Sequence, residues 1–156
     1  MATAGIIAEY NPFHNGHRFQ IKETRRLTGC RYIVVVMSGS FVQRGEPALA
    51  DKHLRAGMAL QNGADLVLEL PCAYGCASAE RFASGAVEIL DRLGIVDILS
   101  FGSENTDLKR ITRTAKLLNE ETPEFSEKLK KGLRSGLTFP QARAAALPEE
   151  CAALLA

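Results

Sequence analysis

The segment Tyr32-Ile33-Val34-Val35-Val36-Met37 limits what this chain can fold into more than any other. Its apolar run is β-branched almost throughout, and it lacks the alternation of a strand with one wet face. Burial on both sides follows, which predicts a strand at the centre of a covered sheet. Three further apolar runs, Thr3–Glu9, Ala64–Leu70 and Asp97–Phe101, are separated by longer amphipathic stretches. Parallel strands joined by crossover helices produce that alternation, so the chain is expected to be α/β, a parallel sheet flanked by helices.

Local signals place the connections. Asn11-Pro12 ends the first strand, because proline cannot donate to a ladder and holds the preceding residue extended. A helix is expected to start close to Gly16, with Phe19, Ile21 and Leu27 as its apolar positions, and to stop at Gly29. After the central strand comes a polar loop, Ser38 to Pro47. A helix capped by Asp51 then runs through Leu54, Met58 and Leu60 to Gly63, and another spans Ser78 to Leu93. The last strand ends at Gly102-Ser103-Glu104. Only helices are expected from Asp107 onward, burying Leu117, Leu118, Phe125, Leu129 and Leu133 and turning Lys128, Lys130, Lys131 and Arg134 to solvent. The tail, Pro140 to Ala156, is rich in alanine and leucine and ends without a helix stop signal, as if cut within a helix.

At 156 residues, 46% hydrophobic and 24% charged, the chain suits one globular domain with its own core, and residues 1–156 are read as a single unit. A formal net charge of +1 gives no whole-molecule field to draw it onto nucleic acid. No apolar run approaches the roughly 20 residues needed to span a bilayer, and the start lacks the pattern of a secretory leader, so a soluble, cytoplasmic protein is expected. Four cysteines, Cys30, Cys72, Cys76 and Cys151, suggest reduced thiols rather than a disulfide framework. Cys72 and Cys76 do not have the spacing of a zinc knuckle and are read as buried small residues; no metal ligands are assigned.

The chemistry concentrates in Ala8-Glu9-Tyr10-Asn11-Pro12-Phe13-His14-Asn15-Gly16-His17, where a strand end, a turn and a helix start follow one another. A helix N-terminus presents unpaired N–H groups and partial positive charge, and so suits a phosphate. Gly16 lets a ligand approach the backbone. His14 and His17 can donate to phosphoryl oxygens and, if protonated, would offset charge developing on a leaving pyrophosphate.

A His-x-Gly-His directly after an apolar strand and an Asn-Pro-Phe turn resembles the signature of the nucleotidyltransferase superfamily, whose members transfer adenylyl or cytidylyl groups and whose sheet is Rossmann-like. Later blocks narrow the resemblance. Ser38-Gly39-Ser40-Phe41-Val42-Gln43-Arg44-Gly45-Glu46-Pro47-Ala48, Asp51-Lys52, Gly63 to Pro71, Phe101-Gly102-Ser103-Glu104 and Gly136 to Arg143 are similar to the tRNA cytidine acetate ligase family. The resemblance implies an ATP-dependent enzyme that activates acetate as acetyl-adenylate and acetylates the wobble cytidine of elongator methionine tRNA. It implies His14 and His17 as catalytic residues on the phosphates of ATP, which magnesium would accompany. It also implies a nucleotide site formed by Ile7, Ala8, Glu9, Tyr10, Asn11, Pro12, Phe13, His14, Asn15, Gly16, His17, Gln20, Gly102 and Ser103.

Two departures stand beside it. Ser40 replaces an expected asparagine, and the chain ends before an Asn-Asn block and a later arginine that the family uses for ATP. Arg44 is open to phosphate, acetate or RNA, or is an ordinary loop residue. Asp51 reads as a cap, and Asp65 and Glu69 as structural partners of a buried strand. Arg25, Arg26, Arg31, Lys109, Arg110 and Arg113 are the cations available to RNA. The competing readings are a small-molecule adenylyltransferase of the coenzyme-A or nicotinamide type, and a nucleotide- or RNA-binding module without chemistry.

Overall fold

The structure, a computed structural model, describes residues 1–103 and 107–154, so Glu104 and the last two residues of the tail lie outside the described residues. The chain forms two compact units, Met1–Gly102 and Ser103–Ala156.

In the first unit, β1 (Thr3–Ala8), α1 (Asn15–Thr28), β2 (Tyr32–Ser38), α2 (Lys52–Gln61), β3 (Leu66–Leu70), α3 (Cys72–Gly75), α4 (Ala79–Arg92) and β4 (Ile98–Ser100) follow in order. All strand pairs are parallel, and the sheet order is β3-β2-β1-β4. As its sequence predicts, β2 is central and dry on both faces. Ile33, Val35 and Met37 join Ala4, Ile6, Ile21 and Ala59 on one side, while Val34 and Val36 meet Leu70, Phe82, Ala86 and Leu90 on the other. The order reverses at β1, whose neighbours are β2 on one side and β4 on the other, and in open α/β sheets ligands bind beyond the carboxyl ends of the strands at such a reversal.

Several expected boundaries and faces differ. Gly29 does stop α1, in the left-handed conformation at φ 65. The buried face of α1 is Ile21 and Thr24, however, while Phe19 and Leu27 are exposed. Helix α2 likewise buries Arg55 and Ala59, one turn apart, and leaves Leu54 and Leu60 outside. As an edge strand, β3 buries only Leu70. Ser78 occupies the N-cap of α4 without a side-chain cap hydrogen bond. Cys72 is exposed and Cys76 half-buried rather than core residues.

The second unit contains α5 (Leu108–Glu120), α6 (Pro123–Arg134), α7 (Phe139–Ala146) and α8 (Glu149–Ala152), and no strand among its described residues. Its core gathers Phe125, Ala146, Leu147 and Cys151 with Leu117, Leu118 and Leu129, whereas Leu133 is exposed. At Gly132 of α6 a Cβ would lie 2.9 Å from that of Ala142 of α7, so glycine permits the close helix contact. The tail is broken where Leu147 turns extended ahead of Pro148, the restriction proline places on its predecessor. No helix among the described residues is long and apolar enough to cross a membrane.

Candidate nucleotide site

At the carboxyl end of β1 the backbone leaves the sheet abruptly. Tyr10 takes a left-handed φ of 47, Asn11 and Pro12 form a turn with a cis peptide bond between them, and α1 starts at Asn15. Tyr10 is buried, its ring edge-on to Phe13 at 4.9 Å and to His17 at 4.7 Å. Burial pushes the Tyr10 phenol up to about 12, and its hydroxyl has no hydrogen-bond partner among the described residues.

The first turn of α1 is closed by the two histidines. His14 is the N-cap, and its Nδ1 accepts from the Gly16 amide at 3.1 Å. His17, one turn on, accepts the His14 amide on its own Nδ1 at 3.2 Å. This is a capping box in which imidazoles take the places that a hydroxyl and a longer polar side chain usually fill. The rings stack at 3.7 Å. With Nδ1 accepting on both rings, each neutral imidazole carries its proton on Nε2, which leaves two N–H donors unspent by the cap. Burial first, and the His14 charge second, hold the His17 imidazole below its usual range. At Gly16 a Cβ would lie 2.9 Å from the His14 ring, so glycine keeps the cap in place.

A cavity of about 380 Å³ opens here, walled by Ile7, Ala8, Glu9, Tyr10, Asn11, Pro12, His14, His17 and Gln20. Phe13, Asn15 and Gly16, between these in sequence, complete the turn and the helix start. Gly102 follows β4 two residues beyond Ser100, which registers with Ile6 of β1, and among the described residues a Cβ on it would meet nothing within 4 Å. Ser103 begins the second unit.

The family model for HIGH Nucleotidyl Transferase matches residues 1–155. The chain belongs to that family. Among curated relatives, this HIGH nucleotidyl transferase is 53% identical over 147 residues to the tRNA(Met) cytidine acetate ligase of Caldanaerobacter subterraneus subsp. tengcongensis, covering 94% of this chain and 37% of the relative. It is 54% identical, with the same coverage, to the protein of that name from Thermoanaerobacter sp. strain X514. The chain thus spans little more than a third of these relatives' length. A crystal structure of Thermotoga maritima TmcAL bound with alpha-thio ATP superposes with a TM-score of 0.88 at 45% identity, over 94% of this chain and 35% of that one. The apo form gives 0.89.

One residue that supports the strand ends beside this cavity escapes a reading of the sequence. Arg55 is fully buried on α2 and donates to the carbonyls of Ala50 (3.0 Å), Glu9 (2.6 Å), Ser38 (3.3 Å) and Gly39. It thereby ties the ends of β1 and β2 to each other, and among the described residues no carboxylate pairs with it directly. Burial lowers its pKa. The only advance signal is an arginine at a helix position facing the sheet. Further stitches join the β1 exit to the segment between β2 and α2: Glu9 accepts the Gln43 amide at 2.9 Å and Asn11 the Leu49 amide at 2.7 Å.

Other singled-out residues divide between structure and surface. Arg44 is exposed at φ 67 in the loop closed by the Phe41–Pro47 bridge, and Ser40 is exposed beside that bridge. Asp51 caps α2 through the His53 amide at 2.8 Å, the bond that most lowers its carboxyl pKa. Asp65 holds Arg25 at 2.6 Å and the Ile33 amide at 2.7 Å, which removes Arg25 from the free cations. Arg26 pairs with Glu23, Arg113 with Glu150, and Lys52 with Glu69. A larger concavity of about 710 Å³ on α6 mixes Glu124 and Glu127 with Lys128, Lys130, Lys131 and Arg134, the composition of a solvated helix face. Among the described residues no three His, Cys, Asp or Glu side chains come together as a metal cluster.

Proposed function

We propose that this chain is the ATP-binding part of an enzyme that activates acetate as acetyl-adenylate and passes the acetyl group to the wobble cytidine of elongator methionine tRNA, in the cytoplasm. One observation carries the reading: the imidazole-capped start of α1 stands at the carboxyl end of β1, where the sheet order reverses. The names of the relatives, and the alpha-thio ATP in the Thermotoga maritima structure, supply the substrate class.

In this reading the wall from Ile7 to Gln20 receives ATP, and the Nε2–H groups of His14 and His17 donate to its phosphates. Attack of an acetate oxygen on the α-phosphorus expels pyrophosphate. The two donors and the helix N-terminus then stabilise the charge gathering on the leaving group, with no covalent enzyme intermediate. Both imidazoles can do this while neutral, because each has its proton on the nitrogen that the cap does not use. Gly102 and Ser103 approach the adenosine. Among the described residues no neighbour crowds Gly102 and its φ is not positive, which favours that role over a simple turn. Magnesium would travel with the phosphates, as it commonly does with few protein ligands. The two compact units are proposed to serve one nucleotidyltransferase domain.

The test is exchange of labelled pyrophosphate into ATP by the full-length protein. Acetate-dependent exchange is expected. Exchange that instead requires a phosphorylated small acceptor would establish an adenylyltransferase of the coenzyme-A or nicotinamide type, and normal ATP affinity without any exchange would establish a binding module.

A further inference from the structure

Cys72 and Cys76 lie outside the nucleotide site. Cys72 is the first residue of α3 and exposed, Cys76 is its C-cap and half-buried, and their sulfurs are 3.4 Å apart as free thiols. Cys30 and Cys151 are buried.

The segment between the two sulfurs is pinned. The Cys76 amide donates to the Cys72 carbonyl at 3.0 Å and closes the turn. The Tyr74 ring presses on Gly85 of α4 so closely that a Cβ there would lie 2.4 Å from its Cδ1. Gly75 faces the polar loop, where its Cβ would stand 3.6 Å from the Phe41 carbonyl oxygen. Residues four apart on one helical turn have Cβ atoms about 5–6 Å apart, somewhat more than a disulfide holds. Cys76, as the C-cap, lies just past the four-residue helix, so a small shift there closes that difference while the segment between the sulfurs stays pinned.

We propose that Cys72 and Cys76 form a modification site, a dithiol that closes to an intramolecular disulfide by exchange with a small-molecule disulfide such as oxidised glutathione. The Cys72 thiolate attacks one sulfur of the oxidant, forming a mixed disulfide and releasing one glutathione thiolate. Cys76 then loses its proton to solvent, attacks Cys72 Sγ and expels the second glutathione thiolate. The protein gives up two electrons and two protons, and the oxidant is reduced to two glutathione thiols. Cys72 is the first attacker because it is the more exposed sulfur. The hydrogen bond to Cys72, with burial and the Cys72 charge adding to it, raises the Cys76 thiol, which therefore keeps its proton longer.

The experiment exposes the reduced full-length protein to oxidised glutathione, then alkylates with N-ethylmaleimide under denaturing conditions, digests with trypsin and weighs the peptides. Ala56–Arg81 carries both sulfurs, because no lysine or arginine lies between Arg55 and Arg81. The expected product is this peptide lighter by two hydrogens and free of maleimide, with Cys30 and Cys151 alkylated. A Cys76→Ser variant is expected to stop at a stable glutathione adduct on Cys72, and Cys72→Ser to resist the oxidant. Both thiols alkylated after oxidation, a glutathione adduct persisting on Cys72 beside an alkylated Cys76, or a disulfide joining two chains would each overturn the proposal.

Discussion

Helices α1 and α7 begin with the same device and differ in what it leaves over. At α7, Thr138 and Gln141 form the box, with the Thr138 amide donating to Gln141 Oε1 at 3.0 Å. At α1, His14 and His17 occupy those places. At α7 the Thr138 hydroxyl also bonds Gln141 Oε1 at 2.9 Å, so the two side-chain oxygens are spent on each other and on the box, whereas each imidazole spends one nitrogen and keeps the other as an N–H donor. Position completes the difference, since α1 leaves a strand end at the reversal of the sheet and α7 follows another helix. A cap stabilises any helix; it becomes chemistry only where the spare donors face a crevice.

The support beneath α1 gives the largest expected effect. Arg55→Leu strands carbonyls at Glu9, Ser38, Gly39 and Ala50, each costing about 1–3 kcal/mol when left unmet, so denaturant unfolding should show a loss above about 3 kcal/mol. A loss below about 1 kcal/mol would mean that α1 does not depend on the tie between β1 and β2.

The two boxes can be compared directly. His14→Ala and Thr138→Ala should each cost about 1 kcal/mol of stability, the usual worth of a cap. Only the first should also weaken ATP binding, and an equal effect of both on affinity would erase the distinction between the helices.

Acid should separate the boxes as well. The folded His17 has its pKa lowered from 6.5, so the unfolded chain takes up the proton first as pH falls. The His17 contribution to stability is therefore intact above about 6.5 and is lost as pH drops through the lowered folded value. Urea midpoints measured across this range should fall in the wild type and be flatter in His17→Gln; identical profiles would show that His17 is not held neutral.

The smallest change is expected at the rim of the loop. Lys52 and Glu69 are 2.7 Å apart but partly solvated, so Lys52→Ala should cost less than about 1 kcal/mol in the same unfolding assay.

What the sequence reveals of this molecule follows the range of the forces involved. The apolar run of β2, the Gly29 stop and the Asp51 cap act over one to six residues, and each is legible; the His14–His17 box is as local, but a histidine is an unusual capping residue and the sequence suggests only phosphate donors there. Arg55 bonds to Glu9 across a separation of 46 residues, and an arginine on an amphipathic helix ordinarily signals solvent. For the same reason Leu54 and Leu60 suggest a buried face that belongs to Arg55 and Ala59. The edge position of β3, which exposes Leu66, depends on strand order, and that order is set by the whole sheet. The break at Pro148 is local and readable, but the alanine-rich sequence around it masks it.

The central claim is that the start of α1 holds the phosphates of ATP, and calorimetric titration of ATP into the full-length protein beside His14→Asn tests it most directly. Asparagine caps a helix as well as any residue but offers no imidazole Nε2–H. The account predicts an unchanged unfolding midpoint with ATP affinity reduced about tenfold or more, the worth of roughly 1.4 kcal/mol. Unchanged affinity in a folded His14→Asn protein would contradict it and reduce the histidine at that position to a cap.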